Sequence, residues 1–284
     1  MTEGENTLRI DIKWPENAMF QTKKYRDARV EAHNALFWMA RASHSFLEPT
    51  LNNSHLSLFW NEDNCDFRTR LFVDGCQIGL HLPDLELYFC DNEEKVPHSF
   101  WLDDRTPAFV EAWYLVEFLH RGIEQGKFST ALPFASPDML MGDTEDHNAS
   151  LFKTELTAMS ECLSYAINIL RVVADQLARH KIFTSNPSEI TLEPQSFTLM
   201  TRADLSTAHG KTVWVGFSVG DNLRPAPFFF SRTCEQVAGS KNHLLDYNPA
   251  NIISENSNAD NAITEEELVR NLVYLASGMS VASI

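Results

Sequence analysis

The stretch FKTELTAMSECLSYAINILRVVADQL, residues 152–177, decides the fold of this chain. Apolar residues recur in it every seven positions, in two sets: Phe152, Met159, Ala166 and Val173, and Leu156, Leu163, Leu170 and Leu177. This spacing predicts a long helix with one apolar side. A coiled coil has the same pattern, but the rest of the chain is globular in composition and needs a helix to cover its sheet. We therefore interpret the stretch as a helix laid across a core.

A group of predicted strands precedes this helix, and a further helix is predicted at each end of the group. Residues 24–47 contain no Pro or Gly and predict the first of these helices. Asp74-Gly75 separates two apolar runs, which is a strong hairpin signal because both turn residues need a positive φ. Strands are predicted at 55–60, 67–73, 76–82, 85–89 and 98–102.

The second helix of this half is predicted to begin at Thr106-Pro107 and to reach about Gln125. Thr is a favoured N-cap, and Pro is favoured at the first helical position. An apolar stripe is predicted along one side of it: Phe109, Trp113, Val116 and Leu119 or His120. The linker that follows contains prolines and a glycine, so we expect it not to be helical throughout.

Strands and a last helix are predicted after residue 177. The strands are expected at 189–193, 196–200, 211–219 and 227–231. A polar stretch at about 248–261 predicts a flexible loop, and Thr264 with Glu267 forms a capping box for a helix at about 265–278. A short N-terminal strand is also predicted, from the alternation of Leu8, Ile10, Ile12 and Trp14 with polar residues.

Both halves of the chain therefore show the same predicted order of helix, antiparallel strands and helix. This order predicts an α+β fold, with one or more antiparallel sheets covered by long helices. We expect two related α+β units, residues 1–126 and 150–284, joined by a linker at 127–149 and packed as one globular body.

Composition excludes several classes of function. The chain has 39 acidic and 23 basic residues and a formal charge of −16, which repels phosphate backbones and anionic lipid. We expect no nucleic-acid and no membrane partner. The 5 cysteines form no C-x-x-C pair, so we expect free thiols, a cytoplasmic location, and neither a metal nor another cofactor.

Several strings carry a resemblance to a known family. They are Trp14-Pro15, NNSHLSLFW (52–60), WLDDRTPAFVEAW (101–113), DHNAS (146–150) and SFTLMTR (196–202). In order and character, these strings resemble a family of uncharacterised bacterial proteins of about this length. The resemblance covers about residues 14–231. It implies no known activity.

Residues 216–220, GFSVG, match the G-x-S-x-G pattern of a hydrolase nucleophile elbow. An elbow needs Ser218 at a sharp turn between a strand and a helix. Here apolar residues alternate straight through the motif, and two prolines follow it. We therefore predict that Ser218 lies within a β-ladder.

Four further residues are candidates for a ligand site. Asp146 and His147 lie in the acidic loop GDTEDHN (142–148), whose groups suit a cation but equally suit a solvated linker before a helix. His55 lies on a predicted strand and is a candidate for contact with His81 on a neighbouring strand. Arg202 ends another strand, and arginines on the face of a sheet suit an anionic ligand. Arg68 and Arg70 share a predicted sheet face as well, with pairing to nearby acids as the alternative.

Three functions follow from these observations. The first is a cytosolic, non-catalytic protein that binds a small ligand or a protein partner on its sheet or between its halves. The second is a hydrolase that uses Asp146, His147 or Ser218. The third is an acidic, chaperone-like protein that binds a basic segment. We favour the first, because no catalytic constellation is evident in the sequence.

Overall fold

The computed structural model describes residues 15, 17–72, 75–136, 139–140, 142, 145–205, 211–235, 252–253 and 265–277. Within these residues the chain forms five α-helices and two antiparallel sheets. The predicted α+β class is therefore confirmed. The helices are α1 (Asn17–Phe20), α2 (Lys23–Phe46), α3 (Pro107–His120), α4 (Lys153–Arg179) and α5 (Glu265–Ser277).

The first sheet is formed between α2 and α3. Its strands are β1 (Phe59–Asn61), β2 (Asp66–Arg68), β3 (Cys76–His81), β4 (Glu86–Asp91), β5 (Glu94–Lys95) and β6 (Phe100–Trp101). They lie in the order β1-β2-β3-β4-β5, and β6 also pairs with β4. The predicted strand at 55–60 is shorter than expected, because Ser54–Leu56 form a 3-10 turn instead.

The second sheet is formed between α4 and α5. Its strands are β7 (Thr191–Glu193), β8 (Thr198–Asp204), β9 (Lys211–Ser218), β10 (Phe228–Glu235) and β11 (Ile252–Ile253), in the order β11-β10-β9-β8-β7. The prediction of a loop over 248–261 is wrong for Ile252–Ile253, which pair with β10. Without this pairing β10 would be an edge strand with unpaired backbone N–H and C=O groups, and even a short strand can satisfy them.

The two sheets meet at a pair of backbone hydrogen bonds. The Leu58 N–H donates to the Leu192 carbonyl over 3.0 Å, and the Leu192 N–H donates back over 2.7 Å. These bonds form an antiparallel bridge that sets β1 beside β7, the terminal strands of their sheets. Both leucines are 0% exposed. Breaking the bridge would leave buried backbone groups without partners, so it fixes the position of one sheet against the other.

Helix α4 has the apolar side that its heptad spacing predicts. The buried residues include Leu156, Met159, Leu163, Ala166, Leu170, Val173 and Leu177. Together with the turn before it, this helix is long and apolar enough to cross a membrane, but 72% of its most apolar 18-residue stretch is buried inside the protein. Burial of that kind is typical of the core helix of a soluble protein. The helix contacts α2, α5 and strands of both sheets, which makes it a core helix rather than half of a coiled coil.

Helix α2 is buried on all sides along its second half. Residues 34–43 are all buried, and a helix surrounded in this way lies inside a core rather than on a surface. The predicted linker provides part of this cover. Arg41 Nε donates to the Thr130 carbonyl (3.0 Å), and the Leu140 N–H donates to Asn34 Oδ1 (2.8 Å). The segment after α3 is therefore held against α2.

Helix α3 buries a different side from the one predicted. Phe109, Val116 and Leu119 are exposed, whereas Val110, Tyr114 and Phe118 are buried. The predicted stripe is wrong because α3 is apolar on two sides, and aromatic packing selects between them. Phe118 packs against the rings of Phe46 (4.7 Å), Phe89 (5.5 Å), Tyr114 (5.6 Å) and Phe128 (5.3 Å).

The end of α3 comes earlier than the predicted Gln125. Gly122 has a φ of 66°, in the left-handed region that glycine tolerates best. Its N–H donates to the Leu119 carbonyl (3.1 Å), and the next N–H, of Ile123, donates to the Phe118 carbonyl (2.9 Å). These two bonds are those of a Schellman motif, which ends a helix by satisfying its last carbonyls.

A glycine faces an aromatic ring at the same place in both sheets. Gly79 on β3 pairs with Tyr88 on β4, and Gly216 on β9 pairs with Phe230 on β10. A Cβ at Gly79 would overlap the Tyr88 ring, and one at Gly216 would lie 2.6 Å from the Phe230 ring. Each aromatic side chain thus lies across its partner strand because that strand has no side chain there.

The predicted free thiols are confirmed for Cys65, Cys76, Cys90 and Cys162. Burial raises the pKa of Cys76 to about 12 and that of Cys90 to about 11, so both thiols stay protonated at neutral pH.

Other predictions fall on residues outside the described ones. They concern the N-terminal strand, Asp74 of the hairpin, the Thr264 cap and the thiol of Cys234.

We predict that neighbouring positions on α3 differ sharply in their effect on stability. Phe118→Ala should lower the free energy of unfolding by about 3–5 kcal/mol, because it removes a fully buried ring. Leu119→Ala, at a side chain 63% exposed, should change it by no more than about 0.5 kcal/mol. Urea unfolding followed by circular dichroism measures both. Equal losses would contradict the orientation of α3.

We also predict that Gly216 is intolerant of a side chain. Gly216→Ala should destabilise the protein by about 1–3 kcal/mol, since the new methyl group meets the Leu199 carbonyl and the Phe230 ring. Gly126→Ala is the matched control, because open space surrounds that position. Thermal unfolding of the two variants compares them, and an unchanged midpoint for Gly216→Ala would contradict this packing.

Candidate functional site

A groove of about 240 Å³ lies where the two sheets meet. The groove residues of the second sheet lie on the side of that sheet away from the main core. Strand alternation shows this, because Thr191, Met200 and Trp214 line the groove. Their neighbours in the chain, Leu192, Leu199 and Val213, belong to the core. We call it the junction groove. It is lined by Asn52, Asn53, Ser54, Ser57 and Arg70 of the first half, and by Ser188, Glu189, Thr191, Glu193, Met200, Arg202 and Trp214 of the second.

Each half contributes one arginine to the junction groove, and each arginine lies over an aromatic ring. The Arg70 guanidinium is 4.9 Å from the centre of the Phe59 ring, and that of Arg202 is 5.7 Å from the Trp214 ring. Arg202 and Trp214 are direct partners across β8 and β9. Such stacking holds a guanidinium in place while its N–H groups stay available to a ligand.

The two arginines differ in their acidic neighbours. Arg70 Nη2 is 4.0 Å from Glu189 Oε2, a long and exposed ion pair that joins the two halves. Arg70 Nε also donates to the Ser54 carbonyl over 3.3 Å. Within the described residues, the Arg202 guanidinium makes no ion pair. Arg202 is therefore the cation of the junction groove that is most available to an anion.

Arg68, on β2 and two residues before Arg70, is an arginine whose guanidinium is fully paired. Its Nε and Nη2 donate to the two oxygens of Asp66, over 3.1 and 3.0 Å, and Asp66 is buried. Tyr88 donates to the same carboxylate. The alternative of pairing with a nearby acid is therefore confirmed for Arg68, which is not available to a ligand.

His55 supports one wall of the junction groove instead of lining it. The ring is buried, and its Nδ1 accepts a hydrogen bond from the Thr50 N–H over 3.3 Å. Its Nε2 is 3.4 Å from Nδ1 of His44 on α2. Burial lowers the pKa of His55, and the nearby His44 lowers it further, so the ring is neutral at physiological pH. His55 thereby holds the 50–56 turn that presents Ser54 to the groove.

Asp146 and His147 are adjacent in sequence but lie in opposite environments. Asp146 is exposed, whereas His147 is fully buried with Nδ1 3.1 Å from Glu31 Oε2 on α2. The backbone of His147 bonds to Arg105 and Asp104, over 3.0 and 2.9 Å. Its Nε2 is buried without a hydrogen-bond partner among the described residues. His147 anchors the end of the linker to α2.

The structure therefore does not bring the four predicted site residues together. His55 contacts α2 and its own turn, His147 contacts Glu31 and the segment before α3, and Asp146 faces solvent. Of the four predicted site residues, only Arg202 lines the junction groove. The contribution of Trp214 was missed, although the alternation of 211–219 already places it on the outer side of its strand.

Ser218 lies in the ladder, as predicted. It is the last residue of β9 and pairs with Thr198 on one side and Phe228 on the other. Its hydroxyl is buried and accepts a hydrogen bond from the Gly220 N–H over 3.2 Å. The element that follows is the strand β10, so the strand-to-helix turn of a nucleophile elbow does not occur at this position.

A second cavity, of about 200 Å³, lies between α2 and residues 220–222. Two of its polar side chains already have partners within the protein. Arg29 Nη2 donates to Asn222 Oδ1 over 3.3 Å, and His33 Nε2 is 2.6 Å from the Pro194 carbonyl. The junction groove is therefore the better candidate for a ligand.

Histidine and cysteine are absent from the residues that line the junction groove, and Glu189 and Glu193 are its carboxylates. Glu193 accepts a hydrogen bond from Ser196 over 2.7 Å. This donor set favours hydrogen bonding and ion pairing to an organic ligand over coordination of a transition metal.

Comparisons of the chain with protein-family models, with curated proteins and with solved structures found no match, so the resemblance inferred from the sequence stays a prediction.

Proposed function

We propose that this protein binds a small polar molecule with an anionic group in the junction groove, without catalysis. The observation that carries the proposal is Arg202, whose guanidinium lies over Trp214 in a groove between two sheets. A stacked guanidinium is well suited to carboxylate or phosphate because its planar fork can donate two parallel hydrogen bonds. Because the chain as a whole has a net charge of −16 and repels anions, an arginine with no ion pair among the described residues provides a local site that attracts an anion.

The size and charge of the junction groove narrow the ligand class. Its volume of about 240 Å³ is below the roughly 300–1,000 Å³ of pockets for drug-sized ligands. Arg70 and Arg202 are balanced by Glu189 and Glu193. We therefore propose a small metabolite that combines one anionic group with amino or hydroxyl donors. The ring of Trp214 offers an apolar surface beside them.

A cytoplasmic setting belongs to the same proposal. The described cysteines are free thiols, which is the state expected in a reducing compartment. The hydrolase alternative has less support. Ser218 is buried in a ladder, and the described contacts of its hydroxyl include neither histidine nor carboxylate.

We predict that Arg202→Ala weakens ligand binding by about 10- to 100-fold, since hydrogen bonds to charged groups contribute about 1.5–3 kcal/mol. The probes are inorganic phosphate, L-glutamate and glucose 6-phosphate at constant ionic strength, measured by thermal shift and calorimetry. Arg224→Ala is the matched control, because that guanidinium also lies over a ring, 4.4 Å from the centre of Phe228, but does not line the groove. No binding of any probe, or equal binding by Arg202→Ala, would contradict the proposal.

The same samples test catalysis. We expect the bound probes to be recovered unchanged, and p-nitrophenyl acetate and p-nitrophenyl phosphate to be hydrolysed no faster than in buffer. Hydrolysis that disappears in a folded Ser218→Ala or His147→Ala variant would replace the binding proposal with the hydrolase alternative.

A further inference from the structure

Three side chains at the end of α3 form a cluster that the sequence did not predict. Glu117 and His120 lie one turn apart on α3, and His98 lies in the loop between β5 and β6. The Trp113 indole N–H donates to the His98 carbonyl over 3.1 Å, which ties that loop to the helix. The cluster belongs to a different surface from the junction groove, whose lining residues it does not share.

The distances within this cluster suit a bound metal ion. Nδ1 of His98 is 3.8 Å from Oε1 of Glu117, and Nδ1 of His120 is 3.7 Å from the same oxygen. One ligand atom from each residue lies within 4.8 Å of the other two. Bonds of about 2.0–2.2 Å in a tetrahedral zinc site place ligand atoms roughly 3.3–3.6 Å apart. Small rotations of the two rings would therefore close the site.

Arg121 fixes the carboxylate of this cluster. Glu117 is buried, and its other oxygen, Oε2, accepts a hydrogen bond from Arg121 Nη1. Arg121 is itself held over the Phe89 ring, 4.2 Å from its centre. The carboxylate is thus oriented with Oε1 between the two imidazoles. Partners of this kind, behind the ligands, orient metal-binding side chains in known sites.

The backbone conformation at His98 helps to position its ring. Its φ of 75° lies in the left-handed region, which is uncommon for a residue with a side chain. Such a conformation persists only where its surroundings maintain it. At His98 the conformation brings the ring to the end of α3, beside His120, with 6.2 Å between the ring centres.

We propose that His98, Glu117 and His120 bind a divalent transition metal ion, with Zn²⁺ as the expected ion. Two imidazoles and one carboxylate suit zinc, whereas Mg²⁺ and Ca²⁺ prefer oxygen ligands alone. The side chains of His98 and His120 are 71% and 55% exposed. The fourth position of a tetrahedral ion therefore faces solvent and holds water or a ligand atom. This proposal departs from the expectation of no metal and is independent of the junction groove.

Calorimetric titration of the full chain with ZnCl₂, after dialysis against a chelator, tests the proposal. We expect one Zn²⁺ per chain and an affinity at least about tenfold lower in His98→Ala and in His120→Ala, since even supporting residues of metal sites contribute that much. His81→Ala is the matched control. His81 also pairs with a carboxylate three residues away, Asp84 at 3.1 Å, but has no second histidine.

The control should bind zinc like the unaltered protein, and circular dichroism should show all variants folded, because His98 and His120 are exposed. Visible absorption of the Co²⁺-substituted protein should report four-coordinate geometry that both alanine variants lose. The proposal is overturned if the unaltered protein binds no Zn²⁺. It is equally overturned if the double variant His98→Ala/His120→Ala retains the original stoichiometry and affinity, because the ion then binds elsewhere.

Discussion

The arrangement of this protein depends on two buried hydrogen bonds between Leu58 and Leu192. Each sheet ends here at an edge strand, β1 or β7, and a single bridge joins the two edges, between Leu58 just before β1 and Leu192 of β7. The main core contains residues of both sheets and of α2 and α4. The outer side of the same joint is the junction groove, so the bridge that completes the core also brings Arg70 and Arg202 to one surface.

In each sheet a glycine makes room for an aromatic side chain, but the outer surfaces of the two sheets differ. Gly79 and Gly216 each let an aromatic side chain cross a strand. In the first sheet Tyr88 donates to the buried Asp66, whose carboxylate also accepts hydrogen bonds from the partly buried Arg68. In the second sheet Phe230 joins an apolar cluster with Met200, Phe228 and Trp214. The polar groups of the first surface thus bond to one another, whereas on the second surface the Trp214 ring and the Arg202 guanidinium line the junction groove.

Histidines show how burial decides the role of a residue. His55 and His147 are buried, and their rings are engaged with Thr50 and Glu31, so both stabilise connections between segments. The exposed pair, His98 and His120, is oriented around a single buried carboxylate oxygen. Exposed nitrogen atoms near a fixed carboxylate are the ones able to exchange a proton or water for a metal ion.

Local patterns in the sequence determined the α+β class, the position of α4 and the ladder around Ser218, because periodicity reports which side of an element is apolar. They also placed the Arg202 side chain on a face of the sheet, although the strand continues beyond Arg202 to Asp204. Tertiary packing alone decided which apolar side of α3 is buried, since Phe109 and Val110 are equally suited to a core. It also decided which ionisable residues meet. Arg70 and Arg202 line one groove although they lie in different halves of the chain, and His98 reaches Glu117 from a loop. No spacing along the chain could reveal either arrangement.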